Sequence, residues 1–129
     1  MNKILVEISI GELLDKISIL EIKQEKIKDT EKLKFINNEH SILRSQFDNN
    51  INTDEKLEKL FSSLKNINAK LWVIEDDKRL CEKDKNFTER FIELSREVHF
   101  LNDDRAKIKL DINNHTGSSI KEIKEYTNY

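Results

Sequence analysis

Arg105 occupies a position at which the surrounding pattern calls for an apolar side chain. Residues spaced alternately by four and three place it on one lane of a helix that is predicted to start at Asn86 and end before Gly117. The other members of this lane are Phe87, Phe91, Leu94, Val98, Leu101, Ile108 and Ile112. Because an unpaired buried charge costs several kcal/mol, Arg105 needs a partner. Acidic and amide residues on neighbouring polar lanes are the candidates: Glu21, Glu75, Glu82, Asn68 and Asn102.

A lane on the preceding helix begins apolar at Phe61 and becomes polar along its length. An ordinary solvent-facing lane would not carry several charges directly beside a tryptophan. After Phe61 its members, at helical spacing, are Asn68, Trp72, Glu75, Arg79 and Glu82. Together with Glu21, Asn102 and Arg105, these residues are predicted to form one polar cluster inside a helical bundle.

Two functions are compatible with this cluster. In the first, the charged and amide side chains close an ion-pair network that fixes helix register, and the protein is a non-enzymatic interaction or regulatory module. In the second, Arg79 and Arg105 form a fork for a carboxylate or phosphate, in a pocket between two helices that is walled by Trp72. The ligand would then be an anionic small molecule such as a nucleotide or a sugar phosphate. The sequence favours the first function and leaves open whether the protein is an enzyme.

No cofactor or metal site is predicted. Acidic residues spaced by three, as in helical magnesium-dependent pyrophosphatases, occur at Glu12/Asp15, Glu55/Glu58 and Glu122/Glu125. These pairs fall at predicted helix starts or among surface charges, where acidic residues stabilise the helix dipole. Cys81, the single cysteine, has no metal-ligand spacing around it. His40 lies on the apolar lane of the second predicted helix and is predicted to be a hydrogen-bonded core residue.

The composition favours helices over sheets. The 129 residues include no proline and only two glycines, Gly11 and Gly117, far fewer turn formers than a β-sandwich or an α/β fold uses. The hydrophobic (36%) and charged (37%) fractions are those of a folded chain with amphipathic elements. At this length we expect a single domain spanning residues 1–129.

The charge pattern and the hydropathy argue against several classes of partner. The net charge is −2, the pI is near 6 and both signs are interspersed, so we expect no nucleic-acid binding. No apolar run approaches the roughly 18 residues of a membrane span. The N-terminal apolar stretch is too short for a signal peptide, and the charged residue Glu7 interrupts it too early. With one cysteine and hence no internal disulfide, we expect a cytoplasmic protein that does not contact membranes.

Four main helices position the polar residues. They are predicted at residues 10–28, 31–47, 54–83 and from 86 to the neighbourhood of Gly117. Ser9 and Thr53 are expected to cap the first and third helices, and Gly117 to end the fourth in the left-handed conformation. The fold class is therefore an all-α antiparallel helical bundle, with the third and fourth helices as a pair.

Two short segments flank the predicted bundle. Residues Ile4–Ile8 are expected to form a short N-terminal extended arm, laid over the bundle or paired across a dimer. Ser119 and Glu122 form a capping-box pattern that predicts a short C-terminal helix. The first helix has a second apolar face at Ile19 and Ile22, which needs cover. These features favour a homo-oligomer, most simply a homodimer.

Blocks of residues along most of the chain resemble a family of small, uncharacterised bacterial and phage proteins. The blocks are Ile8-Ser9-x-Gly11-Glu12-Leu13-x-Asp15-Lys16, Leu71-Trp72-Val73-Ile74-Glu75-Asp76 and Asn102-Asp103-x-Arg105-Ala106-x-Ile108-Lys109. Residues 29–66 carry the least of the resemblance, and His99 stands where a tyrosine is expected. That family has no assigned activity, so the resemblance implies a shared fold unit and no mechanism.

Overall fold

The computed structural model describes residues 2–129, and all regular secondary structure in that range is α-helical. The helices are α1 (Ile10–Lys26), α2 (Thr30–Asn50), α3 (Glu55–Lys83) and α4 (Glu89–Thr116). The all-α prediction with four main helices is confirmed, and the predicted ends lie within a few residues of these bounds. Within the described part of the chain, no helix combines the length and the apolar character needed to cross a membrane.

Side chains that accept hydrogen bonds from the first backbone N–H groups define the helix starts. Ser9 Oγ accepts from the Glu12 N–H at 3.1 Å, so the predicted cap of α1 is confirmed. At α3 the cap is Asp54, whose Oδ1 accepts from the Leu57 N–H at 2.7 Å, and the prediction of Thr53 was wrong. Asp54 satisfies an N–H that has no partner within the helix and adds a negative charge at the positive end of the helix dipole.

The chain after α4 differs from its prediction. Gly117 ends the helix in the left-handed conformation, with φ 67° and ψ 37°, as expected. The helix predicted to start at Ser119 is absent, because residues 118–129 contain no helical turn. Instead the buried Ser118 Oγ accepts from the Ile10 N–H at 3.2 Å and donates to the Ile120 carbonyl at 2.7 Å. The segment is therefore tied to the start of α1.

The N-terminal arm, residues 2–8, has neither helical nor strand structure. Its apolar side chains Ile4, Leu5 and Val6 are 89%, 83% and 71% exposed. The predicted packing of this segment over its own bundle is therefore not found.

α3 and α4 form an antiparallel pair, against which α1 packs. Asp77 and Arg90 lie 3.4 Å apart close to the α3–α4 connection, whereas Asn68 and Arg105, far from it, both bind Asp15. This order of contacts requires the two helices to run in opposite directions. α1 packs against α2, α3 and α4, which makes it the central helix.

The apolar core lies where α1 crosses α3 and the end of α4. Its buried members are Leu14, Ile17, Phe47, Leu57, Leu64 and Ile112. Residues spaced alternately by three and four predict apolar lanes on the first three helices as well: Ile10, Leu13 and Ile17 on α1, Leu43 and Phe47 on α2, and Leu57, Leu60, Leu64 and Leu71 on α3. All the core residues except Leu14 lie on these lanes or on that of α4, and Leu14 stands one residue beside the α1 lane. Each such side chain contributes roughly 2 kcal/mol by leaving water. The core holds the ends of α1 and α4 together, close to the polar residues of interest.

Candidate functional site

Arg105 binds a carboxylate on α1. Its Nε donates to Asp15 Oδ1 at 2.9 Å and its Nη2 donates to Asp15 Oδ2 at 2.5 Å, which is a bidentate fork. Asp15 is 1% exposed, so its charge requires such a cation. The hydrogen bonds to Asp15 raise the pKa of Arg105 above its ordinary value. The prediction that one of the glutamates Glu21, Glu75 and Glu82 is the charged partner was therefore wrong.

Amide and hydroxyl groups complete the surroundings of Asp15. Asn68 Nδ2 donates to Asp15 Oδ1 at 2.9 Å and to Ser18 Oγ at 2.8 Å. Ser18, which is fully buried, donates in turn to the Asp15 backbone carbonyl at 2.8 Å. Arg105 Nη1 donates to Asn102 Oδ1 at 3.3 Å. One carboxylate of α1 therefore receives hydrogen bonds from both α3 and α4.

Lys109, one helical turn after Arg105, extends the charged group. Its Nζ donates to Glu12 Oε2 at 2.7 Å and to Glu122 Oε2 at 3.1 Å, and lies 3.9 Å from Asp15 Oδ2. Burial pulls the pKa of Lys109 down, but the hydrogen bonds to the two glutamates outweigh it and the net pKa is raised. We call the set Glu12, Asp15, Asn68, Arg105, Lys109, Glu122 and Lys124, which binds Glu122, the Asp15 network.

Glu122 was predicted to cap a helix, and it has a different role. It binds Lys124 at 2.6 Å and Lys109 at 3.1 Å. These two cations, Lys124 first, lower the pKa of Glu122 to about 2. With Lys124 included, three carboxylates face three cations, so the charges of the Asp15 network are balanced.

Gly11 allows α1 and α4 to approach closely beside this network. A Cβ at Gly11 would lie 2.5 Å from the Lys109 carbonyl oxygen and 2.9 Å from Asn113 Oδ1. The absence of that carbon lets the Gly11 N–H donate to Asn113 Oδ1 at 2.7 Å. Asn113 is 1% exposed, and its Nδ2 has no hydrogen-bond partner among residues 2–129. The two helices are thus held in one register by a side-chain-to-backbone bond that only a glycine permits.

A cavity of about 410 Å³ opens between α1, α3 and α4 next to the Asp15 network. Its apolar wall includes Ile19, Ile22 and Leu71. The predicted cluster residues that line it are Asn68, Trp72, Glu75, Arg79, Asn102 and Arg105. The structure therefore brings these six predicted residues to one place, with Trp72 as part of the wall.

Two members of the predicted cluster lie elsewhere. Glu21 accepts hydrogen bonds from His40 Nε2 at 3.1 Å and from Lys65 Nζ at 3.4 Å, so it joins α1 to α2 and α3. Lys65 further binds Glu25 at 2.9 Å, and this bond is the main reason that its pKa is raised. Glu82 is exposed near the end of α3. His40, predicted to be hydrogen-bonded, has Glu21 as its partner.

The charges around the cavity do not form the predicted arginine fork. Two donors of Arg105 are directed at Asp15, so the carboxylate of α1 already neutralises this arginine. Arg79, Glu75 and Asp76 are exposed at the cavity and form no ion pair within 4.0 Å among the described residues. Arg79 is therefore the one arginine at the cavity that is not engaged by a carboxylate of the described residues, and it stands beside Glu75 and Asp76.

The acidic pairs considered for metal binding either face cations or lie on the surface of the protein. Glu12 and Asp15 face Lys109 and Arg105. Among the residues that the structure describes, no group of three or more His, Cys, Asp or Glu side chains is arranged to hold a metal ion. Cys81 is buried and unpaired. The Asp15 network can therefore join helices, and the neighbouring cavity is the place where a small ligand would contact Trp72 and Arg79.

The sequence reasoning missed the α1 side of the site. Gly11, Asp15, Ser18 and Ile22 are spaced by four, three and four, and all four are buried. This spacing defines one face of a helix, and two of its members are small residues of the kind that permit close helix contact. Such a lane was visible in the sequence beside the more apolar seam.

The fold and site define an all-α protein of four helices, three of which are joined by a buried and charge-balanced polar network. A family model matches residues 4–129, so the chain belongs to DUF6165, a family of unknown function. Comparisons with curated proteins and with solved structures gave no match. The family membership confirms the resemblance to uncharacterised proteins and assigns no activity.

Proposed function

We propose that this protein is a non-enzymatic interaction module, in which the Asp15 network is structural and the α3–α4 pair offers a surface to a protein partner. The observation that carries the proposal is the closure of the Arg105 fork on Asp15. A guanidinium whose Nε and Nη2 edge is already engaged by a buried carboxylate is suited to fixing helix register rather than to recognising a ligand. The balanced charges of the network support the same role.

Exposed apolar side chains on α3 and α4 support the interaction surface. Val73 and Leu80 are 48% and 50% exposed, and their spacing of seven residues places them on one face of α3. On α4, Ile92 and Phe100 are 55% and 40% exposed. Several large apolar side chains along one helix pair are typical of a protein-binding surface.

The proposal is tested by affinity capture of partners with three forms of the tagged protein. The wild type and Arg79→Ala should retain the same partner proteins, whereas Val73→Asp should lose them. Val73 is half exposed, so the aspartate should leave the melting temperature nearly unchanged, which circular dichroism checks. An untagged copy of the chain counts as a partner in this experiment. Loss with Arg79→Ala together with retention by Val73→Asp would contradict the proposal.

A second candidate function is binding of an anionic small molecule at the cavity. It is favoured by Arg79, which lines the cavity beside Trp72 and is free of ion pairs with the described residues. A nucleotide, sugar phosphate or dicarboxylate at about 100 times its Kd should add roughly 2.7 kcal/mol of stability. Thermal-shift measurements should then show a rise that Arg79→Ala removes and that Arg44→Ala, on α2, leaves intact. A flat response across these ligands would remove this candidate.

A further inference from the structure

We propose that two copies of this chain exchange their N-terminal arms, each arm docking into a groove between α3 and α4 of the other copy. The inference rests on the proposed interaction function and deepens it by naming the partner as a second copy. It depends on the shape and chemistry of the groove, on the chemistry of the arm and on the distance between them.

The groove has a volume of about 620 Å³ and an apolar floor. Its apolar residues are Ala69, Val73, Ile74, Phe100 and Leu101. Its rim carries the charged residues Lys26, Lys70 and Glu97. An occupant that fits this groove therefore presents a short apolar run with charges of both signs beside it.

The N-terminal arm has this chemistry. Ile4, Leu5 and Val6 form a consecutive apolar run whose side chains are 89%, 83% and 71% exposed. Lys3 precedes the run and Glu7 follows it. A branched apolar triplet left in water by its own fold is a candidate for burial against another surface.

The flanking charges of the arm complement those of the groove. Glu7 matches the lysines of the rim, Lys26 and Lys70, while Lys3 matches Glu97. Among residues 2–129 none of these five side chains takes part in an ion pair within 4.0 Å. Both signs on both surfaces are therefore free to pair when the arm docks.

The apolar run of the arm cannot dock along the groove of its own copy. The start of α1 is fixed beside the end of α4 by the bond from the Gly11 N–H to Asn113, and Leu101 lies twelve residues earlier on α4. At 1.5 Å per residue this separation is about 18 Å, and it grows to about 24 Å at Glu97. Ile4, the farthest residue of the apolar run, precedes Ser9 by five residues, and a fully extended segment of that length spans at most about 18 Å, which only just comes level with Leu101. Val6 and Glu7 reach at most about 11 and 7 Å, so the run and its flanking glutamate cannot dock together in the groove of their own copy.

Lys26, on the α1 side of the groove, is also beyond the reach of the arm of its own copy. Lys26 follows Ser9 by seventeen residues, a distance of about 26 Å on a helix. An arm that fills the groove must therefore come from a second copy. If each copy places its arm in the groove of the other, the same contact occurs twice about a two-fold axis and the assembly closes as a dimer.

Disulfide trapping tests the exchange directly. In chains that carry Cys81→Ala, one preparation receives Leu5→Cys and the other receives Val73→Cys. Mild oxidation of the mixture should yield a mixed disulfide between the two variants, identified by mass spectrometry of the linked peptides, because a disulfide between two copies of one variant also has twice the chain mass of 15.3 kDa. A mixture of Leu5→Cys with Phe35→Cys, at an exposed position of α2, should yield none. An equal yield with Phe35→Cys would overturn the proposal, as would the absence of any cross-link to Val73→Cys.

Sedimentation equilibrium of the full chain tests the same contact without a cross-link. Leu5→Asp and Phe100→Asp should each raise the Kd of the dimer about 30-fold or more, the loss expected at an interface hot spot. Phe35→Asp is the matched control and should leave the Kd unchanged. Because Leu5 is exposed, its replacement cannot act by unfolding the chain.

The outcomes separate this inference from the function on which it rests. A wild-type chain that stays monomeric, or a dimer that is insensitive to Leu5→Asp, overturns the arm exchange. A disulfide within one chain of a Leu5→Cys/Val73→Cys variant also overturns it, because the arm would then fill its own groove. If a monomeric chain still captures a different protein that Val73→Asp loses, the interaction function stands and only the exchange fails.

Discussion

Replacement of Arg105 by methionine should destabilise the protein by about 3 kcal/mol. The substitution keeps most of the aliphatic length of the side chain and removes its charge. Asp15, 1% exposed, would lose two of its three side-chain hydrogen bonds and keep the one from Asn68. Lys109 Nζ, at 3.9 Å, would be the nearest remaining cation in an ion pair with it.

The magnitude follows from the free energy that is lost when one member of a buried ion pair is left without its partner. Removal of one partner typically costs about 3–5 kcal/mol, and the nearby Lys109 places this case at the lower end. For a chain of 129 residues, a loss of this size corresponds to a fall in melting temperature of roughly 10 °C. Replacement of both charges, in Asp15→Leu/Arg105→Met, leaves no unpaired carboxylate. The double variant should therefore be more stable than Arg105→Met alone, with a coupling free energy of about 2 kcal/mol.

Urea unfolding followed by circular dichroism measures these free energies. The matched control is Arg90→Met, which breaks an exposed pair with Asp77 at 3.4 Å and should cost less than about 0.5 kcal/mol. The reasoning fails if Arg105→Met lowers the free energy of unfolding by less than about 1 kcal/mol. It also fails if the changes caused by Asp15→Leu and Arg105→Met simply add in the double variant, because Asp15 then does not depend on Arg105.

Three further perturbations test other parts of the structure. Gly11→Ala should cost about 2 kcal/mol in urea unfolding, because the new Cβ would lie 2.5 Å from the Lys109 carbonyl oxygen; an unchanged midpoint would refute that close contact. Acid should remove the stabilisation from Glu122, whose pKa falls from 4.5 to about 2 on folding. Since the folded pKa is the lower one, this contribution is complete above pH 4.5 and disappears as the pH falls towards 2. After allowance for partial exposure, wild type should exceed Glu122→Gln by about 1 kcal/mol near pH 6 and match it near pH 2, and a constant difference would count against the pairing. Tyr129 should ionise near pH 12, because its hydrogen bond to Asp103 raises its pKa; an ultraviolet titration should show Asp103→Asn shifting it back towards 10, and no shift would exclude that bond.

The helices could be predicted because their signals are local in sequence. Ser9 caps α1 with a bond to a residue three positions later, and Gly117 ends α4 through its own backbone conformation. The alternating spacing on α3 identifies Leu57, Leu64 and Leu71 as core residues, and all three are buried. In each case the interaction that decides the structure spans a few residues, so the order of residues along the chain contains it.

The partner of Arg105 could not be predicted in the same way. The need for a partner follows from the charge and its apolar lane, but Asp15 lies ninety residues away in sequence. In the sequence Asp15 is grouped with Glu12 as an acidic pair at a helix start, although the helix-dipole effect falls off within the first turn and does not extend to Asp15. The face that α1 turns towards α4 depends on how closely the two helices approach at Gly11, which is a property of the packed pair.

The C-terminal segment shows the same competition between local and distant interactions. Ser119 and Glu122 match the capping-box spacing, so a helix was a reasonable prediction. In the structure the Glu122 carboxylate binds Lys109 and Lys124 instead, while Ser118 bonds to the start of α1. The need of the buried Lys109 for carboxylates outweighs a single capping bond, because an uncompensated buried charge costs more than a lost cap.

The change from apolar to polar along the α3 lane has an explanation that does not require a ligand. Asn68 is 5% exposed, Trp72 is partly buried, and Glu75 and Arg79 are exposed, so burial falls steadily towards the end of α3. α1, which covers this side of α3, ends at Lys26, and its last turns reach only the level of the cavity. Beyond that point the lane faces solvent, and charged residues there are what an uncovered helix face carries. The polar residues singled out by the sequence therefore form two groups. One is buried and joins helices, and the other is exposed and begins where the cover from α1 ends.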